Sequence, residues 1–247
     1  MVLIQTEPKS IKIWTTDIKR VTIRPNGTEK QIRPTWWTPW ADTIAYYPLK
    51  EDVLDYSGNW NNATWNPNSF TWWVANYSWA STTLPTSIIN ANPRTVSCWV
   101  NDEGAGVGTH NISVYGQHTN VNYGFCLNYN LENNDNTYRI AIVVSGGSGY
   151  ATTNNVTYSY PAALTWWHHV VCMRDSSKAY LYVDGVYIGD TTYSGQTSSN
   201  TFYLWYDHWY DGWAWNGKIS ELIFEDKIRT AQEVSDYYNQ TKWNYWL

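Results

Sequence analysis

The stretch "YLYVDGVYIG", residues 180–189, decides the fold. On each side of Asp184-Gly185 runs an alternating series of β-branched and aromatic residues, the period-two pattern of a strand with one buried face. Asp-Gly supplies two positions that tolerate positive φ, as a two-residue hairpin turn requires. Working outward, the same kind of run recurs as "TIAYYPL" (43–49), "RTVSCWV" (94–100), "YGFCLNYN" (123–130), "TYRIAIVV" (137–144), "WWHHVVCMR" (166–174), "TFYLWYD" (201–207) and "GKISELIFED" (217–226). The loops between them are rich in Asn, Gly, Ser and Thr. Many short strands at this spacing, with no helices between them, predict an all-β fold: a two-sheet antiparallel sandwich or jelly roll. One short helix is expected near the C-terminus. In "TAQEVSDYYN" (230–239), Thr230 stands at an N-cap with Glu233 three residues on, the spacing of a capping box.

A second hairpin is predicted in "VTIRPNGTEKQIR" (21–33), where Asn26-Gly27 supplies the turn. With "IKIWTTDI" before it, residues 1–34 read as a small N-terminal β flap. The stretch "RPTWWTPWAD" (33–42) holds two prolines and no periodicity, so residues 35–42 read as a linker. Residues 43–247 then form the main domain.

Composition narrows the function. Charged residues are only 15% of the chain, below the usual quarter, while Trp (18) and Tyr (21) far outnumber Phe (4). Such a Tyr-, Trp-, Thr- and Asn-rich makeup is typical of extracellular or surface β modules. The net charge of −5 argues against nucleic acid as a partner. That charge is uneven: residues 1–40 carry +4, which leaves −9 for the remainder. No apolar run reaches membrane-spanning length, so membrane insertion is not expected. The opening "MVLIQTEPKS" lacks the apolar core of a secretory signal, so for an extracellular or cell-surface protein either the export signal lies outside this sequence or export does not follow the usual route. Cys98, Cys126 and Cys172 each sit inside a strand-like run. An odd number without metal-ligand spacing points to small buried hydrophobes.

Several constellations could carry chemistry. In "YLWYDHWYDGWAWNG" (203–217), Tyr206, His208, Tyr210, Asp211 and Trp213 lie on or beside one loop. Aromatic faces with a carboxylate beside them suit a sugar ring, whose axial C–H groups stack on an indole or phenol. The alternative is that these aromatics cover the edge of the core. "ISELIFEDK" offers Glu221, Glu225 and Asp226 for a glycosidase. Glu221 and Glu225 share a strand face, but apolar Ile223 lies between them and Asp226 points the other way, so the pattern fails a two-carboxylate template. His168 and His169 point to opposite faces of a strand and cannot chelate together. A packed histidine with a satisfied hydrogen bond is the expectation there.

Taken in order, "IAYYPLKEDVLDYSGN" (44–59), "RTVSCWV" (94–100), "WHHVVCMRD" (167–175), "YLYVDGVYIG" (180–189) and "WNGKISELIFEDKIRTAQEVSDYYN" (215–239) resemble a concanavalin A-like jelly roll of the laminin-G-like type over residues 43–246. The resemblance implies two stacked antiparallel sheets. It also implies a mostly non-catalytic protein that binds glycans, proteins or surfaces, often with a structural calcium ion. In "DVLDYSGNWNN" (52–62), Asp55, Asn59 and Asn61 offer hard oxygen ligands in one loop. The resemblance makes Asp55 a calcium ligand and lets Glu221 of the last strand lie close to it. An ordinary Asx turn capped by Asp55 is the competing expectation.

Trp60, Trp166, Trp205 and Trp246 stand where domains of this kind usually carry glycine. After "DYSGN" the chain needs a residue tolerant of positive φ, which Trp is not. UGA is read as Trp under some translation tables and as Gly under others, so these positions would be glycines in a protein translated by the second. The alternative is a Trp-rich binding protein. The preferred function is a non-catalytic binding module, directed at carbohydrate or a cell-surface or protein ligand, within a surface or appendage protein. The rival is a structural or assembly protein, such as a virion or envelope component, that packs against copies of itself as a homo-oligomer. A glycoside hydrolase is the weaker third.

Overall fold

The computed structural model describes residues 21–23, 30–32, 41–64, 69–71, 74–78, 82–85, 87–88, 94–102, 110–115, 124–130, 137–144, 154–160, 166–192, 203–204 and 216–245. The chain divides into two compact units, Met1–Ala41 and Asp42–Leu247. In the first, β1 (Val21–Ile23) pairs antiparallel with β2 (Lys30–Ile32), Val21 opposite Ile32. The predicted Asn26-Gly27 turn and most of the predicted linker lie outside the described residues.

The second unit is built on an eight-stranded antiparallel sheet. Its strands are β3 (Thr43–Tyr47), β4 (Ser69–Thr71), β5 (Val74–Ser78), β7 (Thr95–Asp102), β12 (His168–Arg174), β13 (Lys178–Val183), β14 (Val186–Thr192) and β16 (Asn216–Glu225). They run in the order β14-β13-β12-β7-β16-β5-β4, with β3 also on β16. A four-stranded sheet has the order β11-β10-β9-β8, from β8 (His110–Tyr115), β9 (Gly124–Asn130), β10 (Thr137–Val144) and β11 (Asn154–Tyr160). The short strands β6 (Thr82–Thr83) and β15 (Tyr203–Leu204) pair with each other.

Period-two alternation sets the core. Val96, Cys98 and Val100 of β7, Val170 of β12, and Ala179, Leu181 and Val183 of β13 turn to one face of the large sheet. There they meet Val156 of the four-stranded sheet in one apolar cluster, so the two sheets stack as a sandwich. The approach is close at Gly189 of β14, where a Cβ would come 3.2 Å from Val156 Cγ1. Cys98 is a buried free thiol, as expected, and Cys172 packs partly buried against the same core.

The opposite face of the large sheet is covered by α1 (Ala231–Thr241) and the 3-10 turn Lys242–Tyr245. Both arms of the predicted capping box form: the Thr230 side chain accepts from the Glu233 N–H, and the Glu233 carboxylate accepts from the Thr230 N–H. Val234 packs with Val171, Met173 and Tyr182, while Tyr245 stacks on Trp99 at 4.2 Å.

Two local departures from regular strand geometry fix where acidic side chains point. The 184–185 turn has φ of 52° at Asp184 and 79° at Gly185, both left-handed as the tight hairpin requires. In β16 the pairing with β7 slips between Ser220 and Ile223, and Glu221 there takes φ 51°. This bulge keeps Ile219, Leu222 and Phe224 in the core while Glu221 reaches the helix-covered face.

Candidate functional site

The "DYSGN" loop is organised around Asp55. Its Oδ1 accepts from the N–H groups of Tyr46 (2.9 Å) and Ser57 (2.8 Å), and its Oδ2 from the Ser57 hydroxyl (2.9 Å) and the Asn61 N–H (2.9 Å). The Ser57 N–H to Asp55 bond is an Asx turn. Asn59 and Asn61 both direct their side-chain NH2 groups at the Ile44 carbonyl, at 3.1 and 2.8 Å, and Asn61 Oδ1 accepts from the Ser87 hydroxyl at 2.5 Å. Glu221 is engaged beneath α1, where its Oε2 accepts from the Tyr237 hydroxyl at 2.7 Å.

As arranged, these residues do not fit a calcium ion. Calcium needs six to eight oxygens turned toward one point. Here the partial positive charges of four donors surround the Asp55 carboxylate, and the amides of Asn59 and Asn61 face carbonyls with their nitrogens. Among the described residues no group of three or more His, Cys, Asp or Glu side chains is placed to hold a metal. What the loop does is tie residues 55–61 to β3.

The helix-covered face holds the remaining ionisable groups. Glu225 and Arg229 form a fully buried pair, Nε to Oε2 at 2.5 Å, and the guanidinium lies 5.1 Å from the centre of the Tyr237 ring. Burial raises the pKa of both Glu221 and Glu225, with Lys50 opposing at the first and Arg229 at the second. The two acids of "ISELIFEDK" that share a face are thus roofed by α1 and hydrogen-bonded to residues of α1 and its approach. Asp226 lies at the surface beside Arg94 at 3.5 Å.

The histidines occupy opposite faces, as period two demands. His168 Nδ1 lies 2.6 Å from Asp184 Oδ2, joining β12 to the hairpin turn. His169 is fully buried between Trp99 (5.2 Å), Tyr237 (5.1 Å) and Tyr238 (6.5 Å). It is packed as expected, but among the described residues no hydrogen-bond partner lies within reach of either ring nitrogen. The aromatic layer above it, set by α1 and the 3-10 turn, offers it faces rather than acceptors. Burial lowers its pKa well below the usual histidine value, and the Arg229 charge adds to this.

The five sugar-stacking candidates Tyr206, His208, Tyr210, Asp211 and Trp213 lie outside the described residues, as do Trp205 and Trp246. Trp60 and Trp166 are described. Trp60 follows "DYSGN" at φ 60°, the left-handed region the loop demands. Trp60 and Trp166 are each 66% exposed and Trp243 is 71% exposed. Trp243 was not among the residues singled out by sequence, nor were Tyr180, Tyr187 and Asp190 on the hairpin that decides the fold. The signal there was a tyrosine followed three residues later by an aspartate, easily taken for ordinary strand alternation.

The family model described as "Concanavalin A-like lectin/glucanases superfamily" matches residues 74–235. No curated protein sequence matches the chain. Among solved structures, domain 4 of AbnA, a GH43 extracellular arabinanase from Geobacillus stearothermophilus in complex with arabinotriose, is similar at TM-score 0.54 and 19% identity, over 79% of this chain and 97% of that one. The binding domain of botulinum neurotoxin serotype D/C is similar at TM-score 0.59 and 11% identity, over 81% of this chain and 52% of that one. The binding domain of botulinum neurotoxin DC in complex with SialylT gives TM-score 0.57 at 11% identity, again over 81% and 52%. The chain thus spans about half the length of these toxin domains. At these identities the likeness is one of fold.

Proposed function

The chain belongs to the concanavalin A-like lectin/glucanases superfamily, and from that premise we propose that it is a non-catalytic binding module for glycans on a cell surface, carried by an extracellular surface or appendage protein. The observation that carries this reading is the exposure of Trp243, an indole outside the four candidate glycine positions, joined by Trp60 and Trp166, each of the three more than half open to water. An exposed indole offers a flat apolar face with a polar N–H edge, which suits the C–H face of a sugar. Trp167 packs on Tyr245 at 4.8 Å, so the segments bearing Trp166 and Trp243 run past each other. The aromatic stretch 203–217 adds candidate stacking residues of the same type. The burial of Glu221 and Glu225 under α1 supports a binding role over a hydrolytic one. No described helix is long and apolar enough to cross a membrane.

The same indoles also favour the rival reading, in which copies of the chain assemble through apolar surface. A glycan array run beside sedimentation velocity separates the two. Binding to a defined glycan class by a monomer is expected. A concentration-dependent oligomer that binds no glycan would overturn the proposal in favour of an assembly protein.

A further inference from the structure

The β13–β14 hairpin turns a second ordered surface outward, away from the exposed indoles in sequence and outside the loop 203–217. Lys178, Tyr180 and Tyr182 of β13 share the face of the large sheet that bears α1, since the intervening Ala179, Leu181 and Val183 face the core. On the outermost strand Tyr187 and Asp190 join them. Asp190 lies directly across from Tyr180, and the Tyr187 ring lies 5.3 Å from that of Tyr182.

Each tyrosine hydroxyl is held by its own carboxylate. Tyr180 donates to Asp175 Oδ2 at 2.6 Å, and Tyr187 donates to Asp190 Oδ2 at 2.5 Å. Lys178 Nζ meets the other oxygen of Asp190 at 2.8 Å. Asp175 is itself fixed, because its Oδ1 accepts from the Ser177 N–H, the Ser177 hydroxyl and the Lys178 N–H. The hydrogen bonds to Asp175 and Asp190 push the Tyr180 and Tyr187 phenols up to about 12. Both hydroxyls therefore stay protonated and directed, with their oxygen lone pairs left for an incoming O–H. Tyr187 is 47% exposed, so its ring is open as well.

The geometry points to this Tyr180–Tyr187–Asp190–Lys178 surface as a binding subsite for a neutral sugar, a proposal that rests on the glycan-binding reading above. A sugar ring presents alternating O–H donors and oxygen acceptors beside an apolar C–H face. The surface presents the complement: carboxylate and phenol oxygens as acceptors, the Lys178 ammonium as donor, and the Tyr187 ring as platform. Little side-chain freedom is left to lose on binding, because Lys178, Tyr187 and Asp190 hold one another in place and Asp175 holds Tyr180. Two carboxylates against one ammonium disfavour an anionic ligand such as a sialylated glycan or a phosphate. A metal is disfavoured too, since Asp190 already meets an ammonium and a phenol.

The test uses the full chain and three variants, Tyr187→Ala, Asp190→Asn and the triple Trp60→Ala/Trp166→Ala/Trp243→Ala, on one array of neutral and sialylated oligosaccharides. Affinities for the strongest neutral hit are then measured by calorimetry. Both Tyr187→Ala and Asp190→Asn are expected to weaken that hit at least tenfold while leaving the melting temperature within a few degrees, because both residues lie on an exposed edge strand. If both retain wild-type affinity while the triple variant loses it, the hairpin subsite is wrong and the binding-module reading stands. If the strongest hit is sialylated and Asp190→Asn strengthens it, the neutral-sugar assignment is overturned. If no glycan binds any of the four proteins, both readings fall.

Discussion

The buried His169 gives a stability test whose sign follows from its surroundings. In the fold it is enclosed by Trp99, Tyr237 and Tyr238, neither ring nitrogen has a partner within reach among the described residues, and Arg229 adds a positive charge nearby. Its folded pKa is therefore depressed. In the unfolded chain it returns to about 6.5. Below that value the unfolded state takes up a proton that the folded state refuses, so this residue's contribution to stability falls as the pH falls. If His169 stays neutral in the fold down to pH 5, the loss is about 1.4 kcal/mol per pH unit below 6.5, or about 2 kcal/mol at pH 5. Glu221 and Glu225 oppose this. Their folded pKa values are raised, so their contribution is present at low pH and is lost as the pH rises through those values. The variant His169→Phe isolates the histidine, because the carboxylates are common to both proteins. Phe keeps a ring between Trp99 and Tyr237 and has no nitrogens to desolvate. It is expected to be more stable than wild type by about 1–2 kcal/mol at pH 7.5, the cost of burying an unpartnered polar group. That gap should widen by about 2 kcal/mol at pH 5. Urea unfolding followed by tryptophan fluorescence at pH 7.5, 6 and 5 reads both quantities. Wild-type and variant stabilities that run parallel across this range would refute the argument, for His169 would then titrate alike in both states.

Asp55→Ala removes the acceptor of four hydrogen bonds and is expected to destabilise the second unit by about 3 kcal/mol, with Asp55→Asn intermediate; denaturant midpoints give the values. Excess calcium and EDTA are expected to give the same melting curve, whereas a calcium-dependent rise abolished by Asp55→Asn would show that the loop rearranges around an ion. Trp60→Gly is expected to stabilise by about 1 kcal/mol, because Trp60 takes φ 60° with most of its indole in water, and relief of left-handed strain exceeds the entropy glycine adds to the unfolded chain. A lower melting temperature for Trp60→Gly would make that indole a structural part of the loop. Reading the codons of positions 60, 166, 205 and 246 tests whether they encode glycine: UGG at all four would end that idea. Arg229→Met is expected to destabilise by about 3–5 kcal/mol, since it leaves the Glu225 carboxylate buried without its ion partner; calorimetric melting checks it.

Local chemistry made much of the fold legible in the sequence. Asp184-Gly185 carries its own turn preference, the period-two runs state which residues share a face, and Thr230 with Glu233 caps the helix whatever lies beyond it. The need for a left-handed residue after "DYSGN" was legible for the same reason, since φ is a property of one residue, and Trp60 adopts it. The role of Asp55 was legible only as a choice between a turn and a metal ligand, because both use the same oxygen atoms. The choice turns on where the amides of Asn59 and Asn61 point, and that depends on the Ile44 carbonyl of β3.

Tertiary structure alone decided which face the helix covers. Glu221 and Glu225 read from sequence only as acids sharing one strand face, and nothing local says that Tyr237 and Arg229 will close over them. His169 is likewise an ordinary strand residue until Trp99 from the neighbouring strand and Tyr237 from the helix enclose it. The pairing of Tyr180 with Asp190 depends on the register of β13 against β14, which slips between Leu181 and Tyr182. Sequence determines such local conformational preferences because they act over a few bonds. Burial, ion pairing and pKa arise between atoms that are distant in the chain, so only the folded arrangement fixes them.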